Sequence, residues 1–243
     1  VAGSLPKAIQ GSGAACRVVL PLYGDMKEEY RKKLTYLTNF NVPVGWRNQY
    51  CGIFRYEKDG VTYYFIDNEY YFARGQIYGE YDDAERFAYY SKAVLEVLPD
   101  LDWKPDVINC NDWQTGPISI YVKDMYSKLK IFSNIKTLYT IHNIQYQGIF
   151  TRDTLRMMDL NDGYFVNDKM EFYNMVNFMK AGLLYSDMIT TVSETYAKEI
   201  QTAQYAYGLE GVLQCRSQYL RGIVNGIDYS VNNPATSTKI YKN

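Results

Sequence analysis

The sequence predicts an α/β fold, a mostly parallel sheet with helices on both faces and a β-hairpin insertion. Two observations carry this reading. Short apolar, β-branched runs alternate with amphipathic helical patterns along all 243 residues, which is the rhythm of strands joined by helical crossovers. No repeat, low-complexity tract or proline-rich linker interrupts it, so residues 1–243 read as one domain. Strands are expected at 17–22, 107–109, 137–141, 188–192 and 222–224, and helices at 26–38, 83–97, 116–125, 169–184 and 194–202. One region departs from the alternation. Residues 52–56 and 61–66 flank Lys58-Asp59-Gly60, and an Asp-Gly between β-rich runs signals a hairpin, expected here at an antiparallel edge.

Composition narrows the function classes. With 26 basic and 27 acidic residues the formal charge is −1, so no global positive field invites a phosphate backbone and nucleic acid is not an expected partner. Cys16, Cys51, Cys110 and Cys215 are scattered, without a C-x-x-C pair, which fits a reduced, cytoplasmic protein. No apolar run approaches the roughly 20 residues needed to cross a bilayer. The start, Val-Ala-Gly-Ser-Leu-Pro-Lys, lacks the basic-then-apolar layout of a signal peptide. A single histidine cannot build a multi-histidine metal site, and neither a metal nor a cofactor is expected. G-x-S-x-G, H-E-x-x-H and G-x-x-x-x-G-K-[ST] patterns are missing from the sequence. The 26 tyrosines suit sugar faces and wet interfaces as well as ordinary half-buried positions.

In open α/β sheets ligands sit at the carboxyl ends of the strands. That rule selects Asp112-Trp113 after one expected strand, His142-Asn143 after another, Ser193 after a third and Asn225-Gly226 after a fourth. Each has a plainer reading. Asp112 is also placed to cap a helix, His142 to be a satisfied imidazole, and Asn225-Gly226 to form a turn. A Ser193–His142–Asp112 hydrolase triad has the parts but no sequence evidence for the geometry. Asp100-Leu-Asp102 is a D-x-D pair of the metal–nucleotide-sugar kind, but it follows Pro99 in a loop and reads better as a solvated turn.

Taken together, the segments resemble the amino-terminal half of bacterial glycogen synthases and plant starch synthases. The blocks are Gly3-Ser-Leu-Pro-Lys7, Val18-Val-Leu-Pro-Leu-Tyr-Gly-Asp-Met26, Asp67-Asn-Glu-Tyr-Tyr-Phe72, Tyr78-Gly79, Glu85-Arg-Phe87, Asn111-Asp-Trp-Gln-Thr115, His142-Asn143 with Tyr146-Gln-Gly148, Thr191-Val-Ser193, Tyr207-Gly-Leu209 and Asn225-Gly-Ile-Asp-Tyr229. They occur in the family's order and cover nearly the whole chain.

The resemblance implies the N-terminal Rossmann-like lobe of a two-lobed GT-B glycosyltransferase, lacking the glycine-rich start before Val1 and the C-terminal lobe after Asn243. It implies retaining transfer of glucose from ADP-glucose to the non-reducing end of an α-1,4-glucan, without a metal, and a lobe inactive alone. His142 and Asp112 are then the expected catalytic pair, with Asp112 acting by positioning and electrostatics. Trp113, Asn143, Asn225 and Gly226 are the expected substrate contacts. The lobe is also expected to show an uncovered cleft wall rich in Trp113 and tyrosines. Two departures stand out: Asn109 and Asn111 replace histidines common in the family, and Ser230-Val-Asn232 replaces an acidic and tryptophan-containing stretch. Two other readings stay open at this point, a non-catalytic α-glucan-binding module and a related glycosyltransferase using UDP-glucose.

Overall fold

A computed structural model describes residues 3–229 and 232–236; the Ser230–Val231 part of the second departure lies outside them. The chain opens with α1 (Leu5–Gly11), β1 (Arg17–Pro21), α2 (Glu28–Arg31), β2 (Thr35–Val44), β3 (Arg47–Lys58), β4 (Val61–Asp67) and α3 (Glu69–Phe72). Next come α4 (Asp83–Glu96), β5 (Val107–Asn111), α5 (Gly116–Ile120, prolonged by a π-helical turn at Tyr121–Met125), β6 (Lys136–Ile141), β7 (Ile149–Phe150) and α6 (Thr154–Met157). It continues through β8 (Glu171–Phe172), β9 (Met175–Asn177), α7 (Phe178–Tyr185), β10 (Met188–Thr191), α8 (Glu194–Glu199), α9 (Glu210–Cys215) and β11 (Leu220–Gly222).

Two four-stranded sheets carry the α/β architecture, in the orders β1-β4-β3-β2 and β11-β10-β6-β5, with a small β7-β9-β8 sheet beside them. Every pairing in the second sheet is parallel, so its carboxyl ends share one rim. In the first, only β1 and β4 are parallel, and β2, β3 and β4 form an antiparallel meander. The Asp59-Gly60 turn is where the sequence places it. Both residues are left-handed, with φ of 52° and 78°, as a two-residue hairpin turn requires. The hairpin is larger than an edge insertion, because β3 runs 12 residues and pairs on its far side with β2.

Two expected helices are corrected. Residues 26–38 yield only the four-residue α2, because Thr35 onward belongs to β2, where Tyr36 sits opposite Phe54 with ring centroids 5.5 Å apart. Cross-strand aromatic packing of this kind outweighs local helical spacing. Residues 169–184 become helical only from Phe178. Before that, Tyr173 and Asn174, with φ of 49° and 63°, turn β8 into β9. Asn177 then caps α7, its Oδ1 accepting from Lys180 N at 2.9 Å.

The 14-residue α4 is buried along almost its whole length and packs against both β2 and α5. Its charges are therefore paired internally. Arg86 is fully buried, and it donates to Asp83 Oδ1 at 2.5 Å, to Tyr71 O at 2.8 Å and to Ile77 O at 3.3 Å. Asp83 in turn accepts from Gly79 N at 2.6 Å. Lys92 donates to Pro43 O at 2.8 Å and to Asp159. Among the described residues no helix is long and apolar enough to cross a membrane.

Candidate active site

The parallel sheet brings Asn111, His142, Val192 and Asn225 to one rim. A cavity of about 650 Å³ opens there, between that rim, α1 and the segment 223–229. His142, Asn225 and Gly226 line it, with Ser4 and Lys7 facing from α1. A second cavity, of about 110 Å³, is lined by Tyr78, Asp112, Trp113, Gln114, Asn143 and Tyr146. The expected site residues are thus divided between two neighbouring cavities, with the consecutive pair His142 and Asn143 on either side of the division.

Asp112 explains how that division is held. It follows β5 directly, with φ 55° and ψ −174°, a backbone region that L-residues occupy at a cost of about 1–3 kcal/mol. Its side chain caps no helix. Oδ1 accepts instead from His142 N at 2.8 Å and lies 3.5 Å from Asn143 N. A carboxylate on successive backbone N–H groups fixes the turn after β6 in the way an anion fixes a nest, so the backbone strain at one strand end organises the next.

The His142 ring is held from the side. Asn111 directs its amide nitrogen to Asn109 O at 3.4 Å, and its Oδ1 lies 3.0 Å from His142 Nε2. In the neutral ring this places the proton on Nε2 and leaves the Nδ1 lone pair. Below it, Asn109 Oδ1 accepts from Thr140 Oγ1 at 2.9 Å, and Thr140 Oγ1 lies 2.9 Å from Thr190 Oγ1. A row of side-chain hydrogen bonds therefore crosses β5, β6 and β10 under the rim. The hydrolase triad is not formed: Ser193 Oγ caps α8 by accepting from Tyr196 N at 2.9 Å, and Asp112 meets the backbone of His142 rather than its ring.

Trp113 corrects an expectation. It is only 5% exposed and packs against Phe87, Phe150 and Tyr78 at centroid distances of 4.9, 5.6 and 6.4 Å. The ring is wedged so closely on Gly148 that a Cβ there would lie 2.4 Å from Trp113 Cε3. An indole flanked by apolar rings gains more from burial than from a wet cleft wall. The exposed large apolar side chains along the large cavity are instead Leu5, Ile223, Val224, Ile227 and Tyr229.

The model of the starch synthase catalytic domain matches residues 1–215. This chain belongs to that family. Similar proteins include the glycogen synthase of Desulforamulus reducens, 49% identical over 100% of this chain and 51% of that protein. Those of Geobacillus thermodenitrificans (50% identical, 96% of this chain, 48% of that protein) and Clostridium botulinum (50%, 100% and 51%) are equally similar. The catalytic domain of starch synthase IV from Arabidopsis thaliana, bound to ADP and acarbose, superimposes with a TM-score of 0.90 at 33% identity, over all of this chain and 50% of that one. The chain spans about half the length of the relatives it matches.

Within this starch synthase fold, Asn225 and Gly226 sit in an exposed segment without regular structure that continues from β11. β11 ends at Gly222, two residues before the end of the expected 222–224 strand, and Ile223 N still bonds Thr191 O at 2.8 Å. A Cβ at Gly226 would meet nothing within 4 Å, so packing does not demand a glycine there. In the sequence Asn111 stands out only as part of the Asn111–Thr115 block and as a departure from histidine; its contact with the imidazole depends on the β5–β6 register, which no local pattern reveals. The cysteines are free, and burial pushes the Cys51 and Cys110 thiols up to about 12, far from a reactive thiolate.

Proposed function

We propose that residues 1–243 form the acceptor-side lobe of a retaining, ADP-glucose-dependent glycogen or starch synthase that extends the non-reducing end of an α-1,4-glucan in the cytoplasm. The observation that carries this is the position of the chain's single histidine: His142 stands at the carboxyl end of β6, on the rim of a cavity large enough for a sugar. Family membership supports the transferase class. The Arabidopsis relative, with ADP and acarbose bound, supports a nucleotide and a saccharide as ligands.

Cleavage of the bond between glucose and a nucleoside diphosphate builds oxocarbenium-like positive charge on the sugar. Hydrogen-bond acceptors fixed in advance lower that barrier without reorganising. His142, held through Nε2 by Asn111, offers such an acceptor at Nδ1. Asp112 contributes negative charge and sets the His142–Asn143 backbone. Asn143, Asn225 and Gly226 bind sugar hydroxyls, and Trp113 supplies one edge of the smaller cavity's wall. ADP-glucose is held chiefly by the portion of the relatives' length that this chain does not span.

The test is chain extension of maltoheptaose from ADP-glucose, read by mass spectrometry on the complete reading frame, with UDP-glucose as the competing donor. His142→Ala is expected to lower turnover by about 10²-fold or more while leaving glucan affinity nearly unchanged. Extension from UDP-glucose alone overturns the donor assignment. Glucan binding without extension from either donor replaces the synthase by a binding module.

A further inference from the structure

The turn that carries His142 and Asn143 leaves the parallel sheet at Ile141, where the β6 register with β10 ends, and its backbone donors are then satisfied largely by side chains. His142 N donates to Asp112 Oδ1 at 2.8 Å, and Asn143 N lies 3.5 Å from the same oxygen. Gln145 N donates to Asn143 Oδ1 at 3.0 Å, and Tyr146 N to Asn143 O at 3.3 Å. The donor between these two pairs, Ile144 N, goes to the hydroxyl of Tyr196, 3.2 Å away and 52 residues later in the chain.

Tyr196 is itself fixed at both ends. It lies in the first turn of α8, just after β10, where Ser193 Oγ accepts from its backbone N at 2.9 Å, and its ring packs half-buried against the core. β10 and β5 are the two neighbours of β6 in the sheet. The turn after β6 is therefore clamped from both flanks, by the Asp112 carboxylate from the β5 side and by the Tyr196 hydroxyl from the β10 side. Ile144 is fully buried, so its N–H needs an acceptor whatever the protein does, and a main-chain carbonyl or a water would satisfy it. A phenol delivered from the next strand supplies a fixed position as well, because its ring is stiff and turns about only two side-chain torsions.

We propose that Tyr196 is a positioning residue for glucosyl transfer: its hydroxyl, through Ile144 N, sets the turn that aims the His142 imidazole. Because it acts through His142, the proposal rests on the synthase reading and on the part His142 plays in it. The two holds on the histidine are complementary. Asn111 fixes the ring from the side at Nε2, and the Tyr196 bond fixes the backbone from which the ring projects. A small displacement there is costly, because an acceptor set in advance stabilises a transition state only where charge develops. The same clamp orients Asn143: with Oδ1 taken by Gln145 N, its amide nitrogen is left to donate into the smaller cavity.

The experiment is steady-state transfer to maltoheptaose by the complete reading frame, comparing the parent with Tyr196→Phe, His142→Ala and the double variant, well below the melting temperature of each. Phenylalanine keeps the ring and removes only the acceptor. Tyr196→Phe is expected to lower kcat about five- to tenfold, the worth of one hydrogen bond, with a smaller change in KM. In the His142→Ala background the same substitution should change kcat by less than about twofold, because a residue that works through the imidazole then has nothing left to aim. A loss of equal size in both backgrounds overturns the proposal and leaves the hydroxyl as a structural acceptor. Unchanged kcat in Tyr196→Phe, or a loss confined to KM, overturns it too. The ratios are read with whichever of ADP-glucose and UDP-glucose the parent uses, so the donor assignment does not enter them. A parent that transfers from neither refutes the synthase reading and this proposal with it, whereas an active parent matched by Tyr196→Phe refutes the proposal alone.

Discussion

The two four-stranded sheets solve different problems with opposite materials. The parallel sheet ends in small polar groups, Asn111, Asp112, His142 and Asn143, aimed by backbone geometry: a strained turn at Asp112, N–H groups converging on one carboxylate, and a threonine–asparagine row beneath. The antiparallel sheet ends in large exposed rings, Trp46 and Tyr81, placed by buried charge, with Arg86, Asp83 and Glu85 on α4 holding the loops that carry them. Precision in the first half comes from strand register, and in the second from ion pairs under a surface. The comparison predicts that the halves fail differently when disturbed.

The largest effect is expected at the buried charge. Arg86→Met leaves Asp83 unpaired and releases the carbonyls of Tyr71 and Ile77, and breaking a buried pair in this way costs about 3–5 kcal/mol. Urea unfolding should show it, and proteolysis of the native protein should start between residues 73 and 81. Protection of that loop equal to the parent's would show that it is held by something other than Arg86. Next comes the parallel half. Gly148 has φ of 63°, and an added Cβ meets the Trp113 ring, so Gly148→Ala combines strain and overpacking for about 3 kcal/mol. If Trp113 fluorescence and the melting temperature are unchanged, the wedge does not set the wall of the smaller cavity.

The smallest effect depends on pH. Asp187 accepts from Lys123 Nζ at 2.7 Å and Thr137 N at 2.8 Å, at the entry to β6. Burial opposes its ionisation, but the Lys123 hydrogen bond, the Thr137 N–H and the positive charges of Lys123 and Lys136 prevail and hold its pKa below the ordinary value. A carboxylate lowered by folding stabilises fully above its unfolded pKa, about 3.9, and the contribution disappears as pH falls through the lowered value. Asp187→Asn should therefore reduce the melting temperature slightly at neutral pH, and the difference from the parent should shrink in acid. A difference that persists below pH 3 would mean that packing, rather than charge, is the contribution of Asp187.

Where the candidate residues sit was legible because strand ends are legible. β-branched runs followed by Asp112, His142 and Asn225 announce the rim of a parallel sheet, and Asp59-Gly60 announces a hairpin. What could not be read depends on partners distant in sequence. Trp113 looks like a stacking platform until Phe87, Phe150 and Gly148 close around it. Asp112 looks like a cap until the register of β5 on β6 brings it under His142 N. Tyr36 reads as part of a helix until Phe54 arrives across the strand.

The solitary imidazole of His142 gives the protein a built-in reporter. With one histidine in 243 residues, its ring protons and nitrogens form a single, self-assigned set of resonances. The contact between its Nε2 and Asn111 makes that set sensitive to which nitrogen bears the proton. Arrival of a ligand in the cavity beside it or loss of the Asn111 amide can each be followed through one signal, without any added probe.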